Sequence, residues 1–268
     1  MAELPQRQQQ SLQQALDSDA VRKRFVDVLG DAAAPFISSV LTTVNSNEAL
    51  KRCSNTSILS AAATAAALRL PVSSALGFAY IIPYNNHATF QLGYKGVIQL
   101  AVRSGQYKKI NASSVLEGQI RDVDFLTGDI VRGEATSNRI VGYIAYFELH
   151  NGFSKTLYMT NEEIDTHAAT HSRGYAYDKK SGKRTSLWST NFDAMAKKTV
   201  LKLLLTKYGL MSIEPASANL VNAFAEPDID RLDEGSLTLP FDEVAPGDEV
   251  MEEIAEVENV TPPDAPSD

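Results

Sequence analysis

The chain has 268 residues, 44% of them hydrophobic, and a single cysteine, Cys53. This composition is sufficient for a globular core, and one cysteine excludes an intramolecular disulfide. The longest apolar run, around Ile58–Leu68, is too short and too rich in alanine to span a membrane, and the Gln-rich start is not typical of a signal peptide. We therefore expect a cytoplasmic protein without membrane association.

The formal net charge of −8 conceals two regions of opposite sign. Residues 221–268 hold fifteen acids, one base and six of the eleven prolines, whereas residues 1–220 hold 18 acids and 24 bases. A segment rich in acids and proline buries too little apolar surface to offset the entropy of ordering. We predict a flexible segment over residues 1–18, a basic core domain over residues 19–224 and a disordered acidic tail over residues 225–268.

The first part of the core is predicted to be helical. Helices are indicated over Val21–Leu29 before Gly30, over Phe36–Val44 after Pro35, and over the Ala-rich stretch Ile58–Leu70, which we expect to be buried. A hairpin follows, with strands over Gly77–Ile82 and Ala88–Leu92, and then a short helix over Lys95–Ser104.

The remaining elements are strands followed by helices. The sequence predicts an extended segment over Lys108–Leu116, a small hairpin over Asp122–Gly133, a long hairpin over Ile140–Leu149 and Phe153–Met159, a helix from the capping box Thr160–Glu163 to Thr170, a polar basic loop over Ser172–Ser186, a long helix over Asn191–Tyr208 and a last helix over Pro215–Phe224. Helices at both ends of a strand-rich middle predict an α+β fold, with a small mixed or antiparallel sheet of hairpins packed by helices from both ends of the chain.

The segment Phe90–Ile110 is the most informative part of the sequence. Aromatic rings, amides and cations alternate in it, and it contains no acid. Cations bind phosphates, flat rings stack on bases and glutamine bonds to base or sugar edges, so this composition suits a single nucleic-acid strand. The chain has neither a GxxxxGK[ST] phosphate loop nor a diagnostic Ser/His/Asp spacing, so we expect no ATP site and no catalytic centre.

The long predicted helix carries a second cationic group. Met195, Val200 and Leu204 follow an inward helical spacing, whereas Lys197, Lys198 and Lys202 lie outward. A solvated lysine face is the simpler explanation, but Asp193 is the only acid of this helix, so we expect the usual acid–lysine pairing to be missing and phosphate contact to be favoured. The basic loop Arg173–Arg184 has two equal explanations, ordering on nucleic acid and solubility.

Three other motifs have alternative interpretations. His167 and His171 have the spacing of a zinc helix, but no third ligand is evident, so we expect no metal site. Asp122, Asp124 and Asp129 suit a metal-dependent nuclease, yet they flank a predicted turn, where aspartate is common. Gly93–Gly96 matches the GxxG of KH modules, although it follows a hairpin, so a KH-like RNA-binding module is the second hypothesis.

Three segments together resemble the RecT family of phage single-strand annealing proteins: Leu76–Tyr84, Gln91–Tyr107 and Trp188–Thr199. The resemblance covers about residues 20–215, and it is weaker for the basic loop and the acidic tail. It implies a protein without enzymatic activity that requires neither ATP nor another cofactor, with Mg²⁺ as a modulator of DNA binding. Such a protein coats single-stranded DNA as rings or helical filaments and pairs it with a complementary strand in phage homologous recombination.

The resemblance also implies partners and site residues. The expected partners are single-stranded DNA, the annealed duplex intermediate, other copies of the chain, a phage exonuclease and a host single-strand binding protein. The acidic tail either competes with DNA or docks a partner through Leu237–Phe241. Among the aromatic residues, Phe90 and Trp188 are expected to belong to the core. The expected DNA-binding residues are Gln91, Tyr94, Lys95, Arg103, Tyr107, Lys108, Lys109, Arg173, Asn191, Lys197, Lys198 and Lys202.

Overall fold

The computed structural model describes residues 12–212. After residue 18, its α-helices are α1 (Asp19–Leu29), α2 (Ala33–Asn45), α3 (Asn55–Ala67), α4 (Tyr94–Arg103), α5 (Asn161–His171), α6 (Arg173–Ser181), α7 (Leu187–Thr190) and α8 (Phe192–Tyr208). Its strands are β1 (Ala79–Tyr84), β2 (His87–Leu92), β3 (Tyr107–Leu116), β4 (Ile120–Val123), β5 (Ile130–Arg132), β6 (Ile140–Leu149) and β7 (Ser154–Thr160). The predicted helix over Pro215–Phe224 and the acidic tail lie outside the described residues.

The described strands form three separate antiparallel sheets. β1 pairs with β2, β4 pairs with β5, and β6 lies between β3 and β7 in a three-stranded sheet. The predicted α+β fold of small sheets and helices is therefore confirmed. The long hairpin β6–β7 and the capping box at Thr160 form as the sequence indicates, with Thr160 and Glu163 each bonding to the other's backbone N–H.

The Ala-rich helix α3 is buried, as predicted, and small side chains let it approach the β1–β2 hairpin closely. Its N-cap is Ser54, whose side chain accepts a hydrogen bond from the Ser57 N–H. The buried Ser57 hydroxyl in turn accepts a hydrogen bond of 2.9 Å from the Ala88 N–H in β2. A polar side chain therefore joins the helix to the hairpin without leaving an unpaired buried group.

The packed core begins before residue 19. Residues 12–17 are helical, and Leu12 and Leu16 are buried. One helical run in the described part, Asp19–Asn45, is long and apolar enough to cross a membrane by length and composition alone. This is weak support for a membrane span, because Gly30 interrupts the run with a φ of 57° and Phe25 and Val40 pack into the core.

The segment after α5 is helical, so the predicted loop over Ser172–Ser186 is wrong in its first half. The Ser172 hydroxyl accepts from the Tyr175 N–H and starts α6, and Gly182 with a φ of 70° ends it. The helix is stabilised by contacts beyond its own sequence, which a local pattern does not show.

Asp178 is the buried polar centre of this region and is only 2% exposed. Its carboxylate accepts hydrogen bonds from the Thr185 and Ser186 N–H groups at 2.9 and 2.8 Å and from the Thr185 and Ser189 hydroxyls at 2.7 and 2.6 Å. Burial alone raises the pKa of this carboxyl, but the hydrogen bonds from Ser189, Ser186 and Thr185 outweigh it and hold the pKa of Asp178 well below its usual range.

We predict that Asp178→Ala lowers the melting temperature at pH 7 by about 5 °C or more, because it leaves four donors without their acceptor. The effect is fully present above about pH 4 and is lost at lower pH, since the unfolded carboxyl is protonated there first. Calorimetry from pH 7 to pH 3 measures it, with the exposed Glu134→Ala as the matched control. An unchanged melting temperature at pH 7 contradicts the assigned role.

Candidate nucleic-acid interface

The two glycines of the GxxG motif allow two backbone segments to touch. A Cβ at Gly93 would lie 2.3 Å from the Gly77 carbonyl oxygen, and one at Gly96 would lie 2.1 Å from that of Phe78. The Gly93 N–H also donates to the Phe78 carbonyl at 2.9 Å. The absence of side chains at these glycines therefore lets the start of α4 pack on the residues that precede β1. The motif lies between a strand and a helix, whereas KH modules have it between two helices.

The predicted residues near this turn differ in accessibility. Lys95 is exposed in the first turn of α4, whereas Tyr94 is half-buried, and burial raises the pKa of its hydroxyl. Gln91 lies in β2 opposite Tyr80, and its Oε1 is buried without a hydrogen-bond partner. Phe90 is buried, as expected. Of this group, Lys95 is the side chain best placed to meet a ligand.

Arg103 connects parts of the chain that are distant in sequence. Its guanidinium donates to the Leu68 carbonyl at 2.7 Å and to the Ser212 carbonyl at 3.3 Å. The side chain thus braces the end of α4 against the segment after α3 and the end of the described chain. Arg103 therefore donates to backbone carbonyls with guanidinium N–H groups that the sequence analysis expected to bind DNA.

Lys108 and Lys109 share one carboxylate at the start of β3. Glu148 of β6 lies 2.5 Å from the Lys108 Nζ and 3.4 Å from the Lys109 Nζ. The hydrogen bond between Lys108 and Glu148 raises the pKa of the lysine and lowers the pKa of the glutamate. Glu148 therefore neutralises part of the positive charge of the two lysines, and the three side chains together remain positive.

Two cations that the sequence did not single out lie at the same end of the three-stranded sheet. Lys155 is the second residue of β7 and lies opposite Phe147, one register position from the pair of Glu148 and Ser154. Its Nζ lies 5.4 Å from the centre of the Tyr208 ring. Lys207 lies 5.7 Å from the same ring. We name Lys108, Lys109, Lys155, Lys207 and Tyr208 the basic sheet end.

The basic sheet end is held together by the end of α8. A Cβ at Gly209, directly after α8, would lie 2.5 Å from the Tyr107 hydroxyl oxygen, so the helix ends against the start of β3. Tyr107 also packs edge-on against Phe147 with ring centres 5.4 Å apart. Tyr107 is therefore a packing residue, whereas the exposed Tyr208 offers a ring to a ligand.

The outer face of the three-stranded sheet carries further residues of the required type. Strand alternation puts Asn111, Ser113, Tyr146 and Tyr158 on the face opposite to the buried Tyr143 and Phe147. Tyr158 lies across Gly142, where a Cβ would come within 2.7 Å of its ring. Only the register shows this arrangement, because these residues come from three strands.

The lysines of α8 are more engaged than predicted. Lys197 forms an ion pair of 2.7 Å with Asp193, so the expected absence of an acid–lysine pair is wrong. The acid lies four residues before the lysine, the spacing that joins side chains on a helix. Lys198 and Lys202 are half-buried, and the charge of Lys202 reaches His167 on α5. The inward stripe of α8 is confirmed, and it includes Leu201 and Leu205.

The remaining predicted residues lie on the α6–α7 side. Arg173 is exposed in the first turn of α6, and Asn191 is exposed at the start of α8, where its side chain makes no capping bond. The Lys183 Nζ lies 5.6 Å from the centre of the exposed Tyr177 ring of α6, so a lysine and a tyrosine of this basic segment are in contact. Trp188 is buried between Tyr175 and Phe192, as expected.

The rings of His167 and His171 are tilted at 45° with their centres 4.4 Å apart, along a groove of α5 that Glu162 and Glu163 also line. Burial, together with the charges of His171 and Lys202, lowers the pKa of His167 to about 4. Within residues 12–212, three or more His, Cys, Asp or Glu side chains do not converge on a possible metal position.

Comparison with known proteins connects this geometry to a family. The RecT family matches residues 34–234. An uncharacterized protein of Bacillus subtilis (strain 168), YqaK, is 42% identical over 215 residues, which are 80% of this chain and 72% of that protein. Protein RecT of Escherichia coli (strain K12) is 29% identical over 217 residues, which are 77% of each chain.

We predict that stability falls as the pH drops from 6.5 to 4, because the unfolded chain then binds a proton at His167 that the folded protein does not. The contribution of neutral, buried His167 to stability is fully present above pH 6.5, the ordinary pKa of histidine. In thermal unfolding at half-unit steps of pH, His167→Gln should flatten this slope, whereas the exposed His150→Gln should keep it. Equal slopes for both variants contradict the prediction.

Proposed function

Because the chain belongs to the RecT family, whose members anneal single-stranded DNA in recombination, we propose that it coats single-stranded DNA as an oligomer and pairs it with a complementary strand without ATP. The observation that carries this proposal is the basic sheet end, where Lys155 and Lys207 flank the exposed Tyr208 ring and Lys108 and Lys109 lie at the same end of the sheet. Cations and an accessible ring are the two components of sequence-independent binding to a single strand.

The proposed mechanism is electrostatic and steric. Two DNA strands repel each other through their phosphates, and cations repeated along an oligomer neutralise this repulsion. The protein has to leave the pairing edges of the bases accessible, since complementarity is tested by the bases themselves. Binding through backbone phosphates and ring stacking meets this condition, because neither contact uses the pairing edges. No covalent bond changes, so no catalytic group is needed.

In this proposal, acidic side chains of the same chain make DNA binding reversible. A phosphate that approaches Lys108 and Lys109 competes with Glu148, which lies between them. Another phosphate competes with Asp193 for Lys197. Each contact therefore exchanges one ion pair for another, and its net free energy is smaller than that of a lysine without a partner. Such exchange favours a protein that releases the annealed duplex.

We assign the predicted residues different roles within this function. Phosphate contact is proposed for Lys95, Lys108, Lys109, Arg173, Lys197, Lys198 and Lys202, together with Lys155 and Lys207. Tyr208 is the proposed stacking ring. Asn191 and Gln91 are proposed polar contacts, whereas Tyr94, Tyr107 and Arg103 position their neighbours through the packing and hydrogen bonds described above.

The setting of this function is also a proposal. We place the protein in the cytoplasm and in phage recombination, with rings or helical filaments as its working form. Mg²⁺ modulates DNA binding without taking part in a reaction. A phage exonuclease supplies single strands, and a host single-strand binding protein is met through the acidic tail, which lies outside the described residues.

The proposal predicts acceleration of annealing by the wild-type protein in the absence of any nucleotide. The variant Lys197→Ala with Lys198→Ala should reduce this acceleration and make the slope of log affinity against log salt shallower by about 1.4, since each lost phosphate contact contributes about 0.7 for single strands. Fluorescence annealing and DNA-binding assays across a salt titration measure both effects.

The matched control for this experiment is Lys51→Ala with Arg52→Ala, two cations after α2 that belong to no proposed contact. Unchanged binding and annealing in the α8 variant contradict its assignment. Absence of annealing by the wild type contradicts the function. Cleavage of labelled DNA with Mg²⁺ or Mn²⁺ would support a nuclease instead, and preference for RNA of equal length would support an RNA-binding module.

A second prediction concerns Glu148→Gln. Removing this carboxylate removes the acid that competes with phosphates for both lysines, so affinity for single-stranded DNA should rise at each salt concentration. The slope of log affinity against log salt should change by less than about 0.7, the contribution of one contact, because the number of phosphate contacts stays the same. Glu134→Gln, which removes an exposed carboxylate elsewhere, should change neither. Fluorescence anisotropy with a labelled oligonucleotide measures the result. Equal or weaker binding by Glu148→Gln places the DNA away from this end of the sheet.

A further inference from the structure

One side of α6 carries cations around an exposed tyrosine. Arg173, Tyr177 and Lys180 follow one another at spacings of four and three residues, so they share one side of the helix, and all three are exposed. The Nζ of Lys183, directly after the helix, lies 5.6 Å from the centre of the Tyr177 ring. We name Arg173, Tyr177, Lys180 and Lys183 the α6 stripe.

The cations of the α6 stripe are not held by acids. Residues 172–191 include five bases and one acid, Asp178. That acid is buried, and its carboxylate accepts hydrogen bonds from the segment that leads into α7. Within the part of the chain that the structure describes, Arg173, Lys180 and Lys183 form no ion pair with a carboxylate. The α6 stripe therefore offers these three charges in full to a polyanion.

The α6 stripe and the basic sheet end lie at opposite ends of α8. Trp188 joins α6 to the first residue of α8, because its ring centre lies 6.0 Å from that of Tyr175 and 5.6 Å from that of Phe192. Tyr208, the last residue of α8, belongs to the basic sheet end. A helix of 17 residues separates its first and last Cα atoms by about 24 Å. Each end of α8 thus has its own group of cations around an exposed tyrosine.

Two separate cationic surfaces suit the two strands of an annealing reaction. The backbones of paired strands lie on opposite sides of their base pairs, so a protein that holds both needs cations about a duplex width apart. A first strand that is already bound repels a second one, so the surface that receives the second strand needs cations at full charge. At the basic sheet end Glu148 competes for Lys108 and Lys109, whereas the cations of the α6 stripe have no such competitor among the described residues.

We propose that the α6 stripe binds the complementary strand while the basic sheet end holds the first strand. The inference rests on the proposed function, and it assigns the two strands to two surfaces of the same chain. Arg173, Lys180 and Lys183 contact phosphates of the second strand, and the Tyr177 ring stacks on one of its bases. Neither kind of contact uses the pairing edges, so the bases of the two strands stay available to each other between the surfaces.

Two charge variants test this assignment. With the protein saturated by a first oligonucleotide, the stripe variant, Arg173→Gln with Lys180→Gln, should anneal the complementary strand roughly tenfold more slowly than the wild type, while its affinity for a single oligonucleotide stays within about twofold. The sheet-end variant, Lys155→Gln with Lys207→Gln, should lose both single-strand affinity and annealing. The matched control, Lys51→Gln with Arg52→Gln, should lose neither. All three should keep the wild-type melting temperature, since they alter side chains outside the core.

A crosslinking experiment identifies the strand at each surface directly. The single cysteine, Cys53, is 1% exposed, so a cysteine introduced at an exposed position takes up a photoreactive azide selectively. Ser181→Cys places the label at the end of α6, and Ser154→Cys places it beside Lys155 in β7. When complementary oligonucleotides are added one after the other, Ser181→Cys should crosslink to the second strand and Ser154→Cys to the first. Reversing the order of addition should exchange the two crosslinked sequences.

The other outcomes separate this inference from the proposed function. Normal annealing by the stripe variant, or a loss of single-strand affinity equal to that of the sheet-end variant, overturns the inference and leaves the function standing. Crosslinks from both positions to the same strand do the same, and a crosslink from Ser181→Cys to residues 225–268 makes the tail the occupant of the stripe. A wild-type protein that binds single strands without annealing them overturns the function. In that case a crosslink from Ser181→Cys to the second strand still supports a second site, and its absence overturns both.

Discussion

The packing of α8 against the inner face of the three-stranded sheet is the contact on which the rest of the structure depends. Tyr143, Ala145, Phe147 and Leu149 of β6 are buried toward this helix, whose own buried stripe includes Val200 and Leu204. The contact fixes the outward side of α8, and with it the lysines there. It also brings Tyr208 to the end of the sheet where β3 and β7 begin, so one apolar interface positions cations from three elements.

Several cations of the described residues are paired with acids of the same chain. Glu148 lies between Lys108 and Lys109, Asp193 pairs with Lys197, and Asp165 pairs with Lys179. These pairs are exposed or half-exposed, where an ion pair contributes little to stability. Their consequence is for binding, since the charge offered to a polyanion is smaller than the number of lysines indicates.

The described surface divides into regions of different character. The basic sheet end and the outer sheet face offer cations, amides and tyrosines, which suit a nucleic-acid backbone and bases. The turn of the β4–β5 hairpin exposes Phe125 and Leu126 between acids, and a Cβ at Gly128 in the same turn would lie 3.8 Å from the Lys155 Nζ of the basic sheet end.

The sequence by itself determined the elements that depend on neighbouring residues: the capping box at Thr160, the β6–β7 hairpin and the inward stripe of α8 are all confirmed. Such signals act within a few residues, so they are legible without a fold. Tertiary structure decided the helix over Arg173–Ser181, which depends on the buried Asp178 accepting bonds from a later segment. It also decided which predicted site residues stay accessible.

Arg103 shows most clearly what local sequence patterns do not reveal, because its guanidinium donates to carbonyls 35 and 109 residues away. Lys155 and Lys207 illustrate the converse, since neither stands in a recognisable motif and both join the basic sheet end through strand register and helix packing. Residue type and local spacing are properties of the sequence. Burial, ion pairing and the meeting of distant cations depend on which surfaces the core brings together, and only the folded chain defines them.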